Sequence, residues 1–361
     1  MNNNKNKYNI LHIVDTLNVG GAERVVVTLA NLFSMKGFNV GVMVLLPGPH
    51  PLIDSLDKNI NIFLVKRRGR FLYSNYNKIS SIMNNYNIIH IHMRQNLRYI
   101  WFIKLVKNNN NGKIFFHDHY GDIKTNKSID IFTKYIIKKS IYIGVSKELC
   151  DWAQDSCSIK NIYLLENIII KEKSASEKQV KSLVNRIILT SNIYPRKNIE
   201  FAILIMNSLV KQGKYHLDII GKKSDPVYFS KLMKLISKYN LQKNITFIED
   251  VKNIQLVLNN YDLGLHTSKS ETGPLVLIEY LAHSLPFITF ATGEVVNKIT
   301  KELNFLIINN FEINQWLESI NKLLLHDKFE LKKNLDAVYL KNFSTLNYFN
   351  KCLKIYQKNL F

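Results

Sequence analysis

The sequence predicts an α/β protein built from two Rossmann-like domains, and three observations carry that expectation. At 361 residues the chain exceeds the roughly 250–300 residues at which one core stops growing. Short apolar runs alternate with helix-period segments in both halves, the pattern of a parallel sheet with crossover helices. The first such unit is complete: a strand at Tyr8–Val14, a turn at Asp15–Gly21, a helix at Ala22–Met35 and a second strand at Asn39–Leu46.

Composition narrows the partners. Apolar residues make up 46 %, with 19 Phe and 18 Tyr, enough to fill two cores. The formal charge of +21 is spread over both halves, a field that favours phosphorylated small molecules, an anionic membrane or nucleic acid. Abundant Asn, Lys and Ile equally fit an AT-rich genome. Three cysteines without a C-x2-C spacing predict neither a disulfide framework nor a zinc site, and suit a reducing cytosol. The polar start MNNNKNKYN lacks a signal-peptide core, and no apolar run reaches 18 residues.

In the first half, Gly20-Gly21 sits where backbone can approach a ligand closely, with the helix start behind it favouring negative charge. After a strand at Asn61–Val65, the cations Lys66, Arg67, Arg68 and Arg70 read as a solvated loop or as a site for anionic lipid. Ile88–Ile91 and Lys113–Phe116 are strands that end in His90/His92 and in His117-Asp118-His119. His90 and His92 share a strand face, but the pattern offers them no third ligand, so no metal is expected. Ile141–Val145 is a further strand. Residues 1–168 form the first domain and the Lys/Ser/Glu-rich stretch 169–184 the linker.

The second domain spans 185–342. Its strands are Arg186–Thr190, Leu217–Ile220, Asn244–Glu249 and Tyr261–His266; its helices are Ile199–Val210, a short one at Ile254–Asn259, and Phe311–Leu325. The helix Phe343–Gln357 closes the chain. Between these lies the densest chemistry, SKSETGPLVLIEYLAHSLPFITF. Glu271 closes a loop, Thr272 or Gly273 caps a helix carrying Pro274 in its first turn, and Leu275–Leu281 continues it with Glu279 as its acid. The first amides, from Leu275 and Val276, make an anion site. Glu271 and Glu279 lie about two turns apart and can reach hydroxyls on either side of a bound phosphate. A strand at Phe287–Phe290 and a closing loop at Thr292–Val295 follow.

Glu271, Glu279 and the following Ala282–Ile288, together with GGAERVVVTLA near the start, resemble the two signatures of retaining glycosyltransferases of family 4, which have the GT-B fold. The resemblance covers most of residues 8–361, strongly at these two motifs and patchily between. It implies two Rossmann-like domains facing across a cleft, the last helix crossing back to the first domain. It also implies a nucleoside-diphosphate sugar, UDP- or GDP-linked, as donor substrate, with no cofactor. Gly20, Gly21, Lys197, Gly273, Leu275 and Val276 would meet the donor diphosphate, Glu279 the ribose, and Glu271 the sugar. His117 would project beside the transferred sugar, with His119 as the alternative register. Ser146-Lys147-Glu148 is similar to the family's V-S-E step, and Asn167 and Gly221 keep single positions of two other elements. Where the family carries an arginine five residues before Lys197, this chain has Asn192, with Arg196 next to the lysine.

The expected activity is therefore transfer of a sugar to a hydroxyl of a glycan or lipid-linked acceptor in capsule, lipopolysaccharide or teichoic acid synthesis. The expected location is cytoplasmic, peripheral at the inner face of the plasma membrane. A GT-B sugar-nucleotide epimerase or glycoside phosphorylase is the alternative. A nucleic-acid binder finds no helix-turn-helix, aromatic RNP pair or finger spacing in its support, and none is expected.

Overall fold

A computed structural model describes residues 8–65, 67, 74–108, 111–121, 123, 126–172, 183–251 and 253–360. The chain divides into two compact units, the first comprising Met1–Ile169 with Thr345–Phe361 and the second Ile170–Ser344.

Unit 1 is built on strands β1 (Asn9–Val14), β2 (Asn39–Val44), β3 (Asn61–Leu64), β4 (Ile88–His92), β5 (Lys113–Asp118), β6 (Ile141–Gly144) and β7 (Ile162–Leu164). They form one parallel sheet in the order β3-β2-β1-β4-β5-β6-β7. Helices α1 (Gly21–Met35), α2 (Ser74–Met83), α3 (Arg94–Val106), α4 (Ile131–Lys138) and α5 (Lys147–Cys157) connect the strands. The central strands are buried along nearly their whole length because helices cover both faces. α1 buries Val25, Val26, Leu29, Leu32 and Phe33. It stops in a paired closure, with Gly37 N–H donating to the Ser34 carbonyl and Phe38 N–H to that of Phe33. This closure needs the left-handed φ of 81° at Gly37, which glycine adopts at no steric cost.

Unit 2 repeats the design with β8 (Asn185–Thr190), β9 (Tyr215–Ile220), β10 (Ile245–Ile248), β11 (Leu263–His266), β12 (Phe287–Phe290) and β13 (Ile307–Ile308), in the order β10-β9-β8-β11-β12-β13. Its helices are α6 (Ile199–Leu209), α7 (Pro226–Lys238), α8 (Leu275–Ala282), α9 (Glu294–Leu303), α10 (Ile313–Leu325) and α11 (Lys328–Asn342). The last helix, α12 (Thr345–Leu360), packs in unit 1. There Phe33 meets Phe349 and Tyr356 at 4.9 and 5.4 Å between ring centroids, and Tyr356 meets Phe115 at 4.9 Å.

Several local expectations change. The helix read at Ile254–Asn259 is two 3-10 turns, Ile254–Leu256 and Leu258–Asn260. Glu294 and Val295 open α9 instead of closing a loop. Ile170–Glu172, read as linker, lies on unit 2: the Gln255 side chain donates to the Ile170 carbonyl and accepts from Glu172 N–H at 3.1 and 3.0 Å. α7, whose helical run follows the N-cap Asp225, was not anticipated.

Each sheet has a place where strand order reverses. In unit 1 it lies between β1 and β4, and in unit 2 between β8 and β11. Loops leaving the carboxyl ends of such neighbours diverge and leave a crevice, where open α/β sheets hold their ligands.

Candidate active site

In unit 2 the loops after β8 and β11 flank that crevice and are tied together. Thr267 Oγ1 donates to the Lys197 carbonyl at 3.0 Å, and Lys269 N–H to the Arg196 carbonyl at 2.9 Å. Lys197 ends a 3-10 turn, Pro195–Lys197, and its ammonium forms an ion pair with the Glu271 carboxylate. Their side chains are only 15 % and 12 % exposed, so the pair is largely withdrawn from solvent screening. Burial on its own pushes the Glu271 carboxyl up. The Lys197 ammonium is the largest opposing influence, and the group is held well below the usual carboxylate range.

The loop carrying Glu271 is fixed from its far side. Glu271 N–H donates to Thr292 Oγ1 at 3.1 Å, and Glu294 N–H to the Thr272 carbonyl at 2.7 Å. Gly293 has φ 86°, and a Cβ there would stand 2.7 Å from Pro274 Cδ and 3.3 Å from Glu271 Cβ. Only glycine lets these two loops approach so closely. The sequence reading missed His266, the last residue of β11. It is 3 % exposed, Nδ1 lies 2.8 Å from Thr289 Oγ1, and Nε2 lies 3.7 Å from Glu271 Oε1. The available signal was a histidine ending an apolar strand five residues before the motif glutamate.

Pro274 is not in the first turn of α8. It is the N-cap itself, with φ −66° and ψ 106°, and the helix begins at Leu275. Thr272 and Gly273 form the bend before it and cap nothing by side chain. The ring fixes φ at Pro274, and with ψ at 106° the chain stays extended up to the first helical residue, so the amides of Leu275 and Val276 stand at the helix start where dipole and unspent N–H groups favour an anion. Glu279, one turn on, is a buried acid, 3 % exposed. Asn192 accepts from Lys222 N–H at 3.4 Å, and the Arg196 guanidinium donates to Tyr194 Oη at 3.2 Å while lying over that ring. Of these three candidates for the diphosphate clamp, Lys197 forms the ion pair with Glu271.

In unit 1, Gly20 is the N-cap of α1 and Gly21 its first residue. Gly20 has an extended φ of −141°, so torsion does not demand glycine there; a Cβ would instead press to 2.3 Å from Glu23 Oε2. Burial pushes the Glu23 carboxyl up, while hydrogen bonds from the backbone and Thr16 oppose it.

The expectation that His90 and His92 lack a third ligand is corrected. Strand register places His12 beside His90 and His92 beside His117, and His119 follows. His12 Nδ1 lies 3.2 Å from His92 Nε2, and His92 Nδ1 lies 3.1 Å from His119 Nε2. Two histidine triads therefore bring ring nitrogens within 4.8 Å of one another. A pattern read along single strands could not show ligands that arrive from three. Within the first triad, His90 and His92 are near-parallel, 7° apart in tilt at 4.5 Å between centroids, so their in-plane lone pairs do not converge. His117 is fully buried with neither ring nitrogen hydrogen-bonded, whereas His119 is part-exposed. Of the two registers considered, the accessible imidazole is thus His119. Burial drives all five downward, His12 and His119 to about 3 and the others well below the ordinary value.

Lys66, Arg68 and Arg70 lie outside the described residues. Arg67 is engaged, its guanidinium over the Tyr99 ring at 4.5 Å from the centroid, and so is not a free surface cation.

Residues 170–337, nearly all of unit 2, match the family model described as glycosyl transferases group 1. Over 335 residues the chain is 22 % identical to a Haemophilus influenzae protein described as an uncharacterized glycosyltransferase, covering 89 % of this chain and 91 % of that one. It is 23 % identical over 345 residues to the amylovoran biosynthesis glycosyltransferase AmsD of Erwinia amylovora, covering 91 % and 92 %. Among solved structures, Anabaena HepE in complex with UDP-glucose aligns with a TM-score of 0.81 over 97 % of this chain and 100 % of that one, at 14 % identity.

Proposed function

We propose that this glycosyltransferase of GT-B fold, which matches the group 1 family model over residues 170–337, is a retaining transferase acting on a UDP- or GDP-linked sugar. The observation that carries this reading is the buried Lys197–Glu271 pair at the unit 2 switch point, beside the start of α8. Lys197 and the amides of Leu275 and Val276 meet the departing diphosphate, so its charge is neutralised without a divalent metal. Glu271 holds the sugar and Glu279 the ribose hydroxyls. In transfer the bond from the anomeric carbon to the diphosphate oxygen breaks, the acceptor oxygen bonds that carbon from the same face, and its proton leaves on the phosphate. Gly20-Gly21 is assigned to the donor diphosphate, and His117 or His119 to the transferred sugar. The relative named for amylovoran biosynthesis supports an envelope glycan or its lipid-linked precursor as acceptor.

The two glutamates give the test. Hydrogen bonds to a charged group are worth about 1.5–3 kcal/mol, so Glu279→Ala should weaken UDP or GDP binding by roughly 10- to 100-fold. Glu271→Gln should leave nucleotide affinity nearly intact and reduce turnover, because it removes an interaction strengthened during transfer. Calorimetry beside single-turnover rates separates the two. Equal loss of nucleotide affinity in both variants would sink this division of roles.

Location at the inner face of the plasma membrane is part of the same proposal. It is supported by α4, whose outer face presents Ile131 (88 % exposed), Phe132 and Tyr135 in line with Lys138 and Lys139. Lys138→Gln/Lys139→Gln should lower partition onto phosphatidylglycerol vesicles by roughly 30-fold, at about 1 kcal/mol per cation. Unchanged sedimentation with those vesicles would remove α4 from the contact.

A further inference from the structure

We infer that His266 is a positioning residue that couples donor binding to proton uptake: as Lys197 turns to the diphosphate, Nε2 of His266 takes a proton and the imidazolium holds Glu271 in its place. The inference rests on the reading of Lys197 as a diphosphate ligand.

The argument begins with the tautomer. Thr289 Oγ1 donates its hydrogen to the Phe290 carbonyl at 3.0 Å, so towards His266 it acts as acceptor. Nδ1 of His266, 2.8 Å away, is therefore the N–H of the neutral ring, and Nε2 carries a lone pair. That lone pair faces Glu271 Oε1 at 3.7 Å, two acceptors opposed, and Nε2 has no hydrogen-bond partner although His266 is 3 % exposed. The arrangement is tolerable while the Lys197 ammonium neutralises the carboxylate.

A donor diphosphate changes the balance. Lys197 cannot give its full charge to both anions, and a buried carboxylate left uncompensated is strongly unfavourable. The nearest remedy is one solvent proton on Nε2, which turns an opposed pair of acceptors into a charge-assisted hydrogen bond. Among the described residues, the charged groups facing this imidazole are Glu271 and Lys197, with the Thr289 hydroxyl on the other nitrogen. Burial and Lys197 hold the ring neutral, and Glu271 acts the opposite way. Withdrawing Lys197 removes one restraint and frees the group that favours protonation. Both changes have the same sign.

The experiment has a donor arm and a donor-free arm on the full chain. UDP and GDP are titrated calorimetrically at pH 7 in PIPES and in Tris, and the buffer dependence of the heat gives the protons exchanged. His266→Gln supplies a neutral amide donor to Glu271, and subtracting its value cancels the nucleotide's own ionisation. The native protein should take up between about 0.5 and 1 proton more than His266→Gln. Turnover should fall about tenfold or more in His266→Leu and recover to within a few-fold in His266→Gln, with nucleotide affinity close to native in both. Equal proton uptake in native and His266→Gln protein overturns the inference.

Without donor, Lys197→Met, or Lys197→Gln should the first fold poorly, is followed by 15N imidazole spectroscopy. The His266 titration should move to higher pH, and Glu271→Gln in the same background should return it. A titration unmoved by loss of Lys197 overturns the inference even if neither nucleotide binds. Failure of both nucleotides to bind counts instead against the donor assignment, with this second arm still deciding for His266.

Discussion

Both units bury histidine at the carboxyl ends of strands beside their switch points, yet they solve the polar burial in opposite ways. Unit 1 gathers five imidazoles from three strands, held neutral by burial and by one another. Unit 2 sets one imidazole against a lysine–glutamate pair, so the charges are present in the folded protein and cancel locally. A stack of neutral bases resists protonation, and each added charge makes the next harder to place. A mixed site can accept a proton and stay folded. The same residue type therefore makes one unit acid-sensitive and the other proton-responsive.

Acid should separate the units most strongly. A histidine whose folded value lies below its ordinary 6.5 binds fewer protons folded than unfolded, so stability falls as pH drops below about 6.5. For His12 and His119 the loss continues until about pH 3, where the folded rings themselves protonate. Between pH 7.5 and 5.5 each such imidazole removes roughly 1 kcal/mol, or several for the cluster. Hydrogen exchange resolved by unit should show β1, β4 and β5 losing protection first. Equal loss in β8 and β11 would erase the contrast.

A smaller effect sharpens it. His90 Nδ1 lies 2.5 Å from the Tyr356 hydroxyl, the polar tie between the cluster and α12. Tyr356→Phe keeps the ring packing and removes the bond, costing about 1 kcal/mol. Denaturant unfolding should place that loss in unit 1 alone. A comparable shift in unit 2 protection would mean the two do not respond separately.

The same contrast explains what could be read from the sequence. The unit 2 site is assembled from a contiguous motif, so Glu271, Glu279 and the helix start were legible from spacing, and Lys197 came from resemblance. The alternation of apolar runs gave the parallel sheets, because strands covered on both faces need no polar residue. Not legible was anything made by register. His12 touches His92 across 80 residues, and His90 touches Tyr356 across 266. Helix ends also shifted where a local rule met tertiary packing. Pro274 suits a first helical turn, but its extended ψ of 106° leaves it one residue outside, as the N-cap. α7 was missed although Asp225, whose side chain caps Tyr228 N–H, and Pro226 at its first position are its start signals.

The position of α12 has a consequence for the order in which the molecule is made. Unit 2 is one unbroken stretch of chain, Ile170–Ser344, and can close as soon as that stretch has left the ribosome. Unit 1 begins to emerge before unit 2 but is completed after it, because Phe349 and Tyr356, which cover Phe33 and Phe115, follow Ser344 in the chain. At about 5–20 residues per second the wait is roughly ten to thirty-five seconds. Through that interval an apolar seat on α1 and β5 stands open beside a growing chain, and it is then filled by α12.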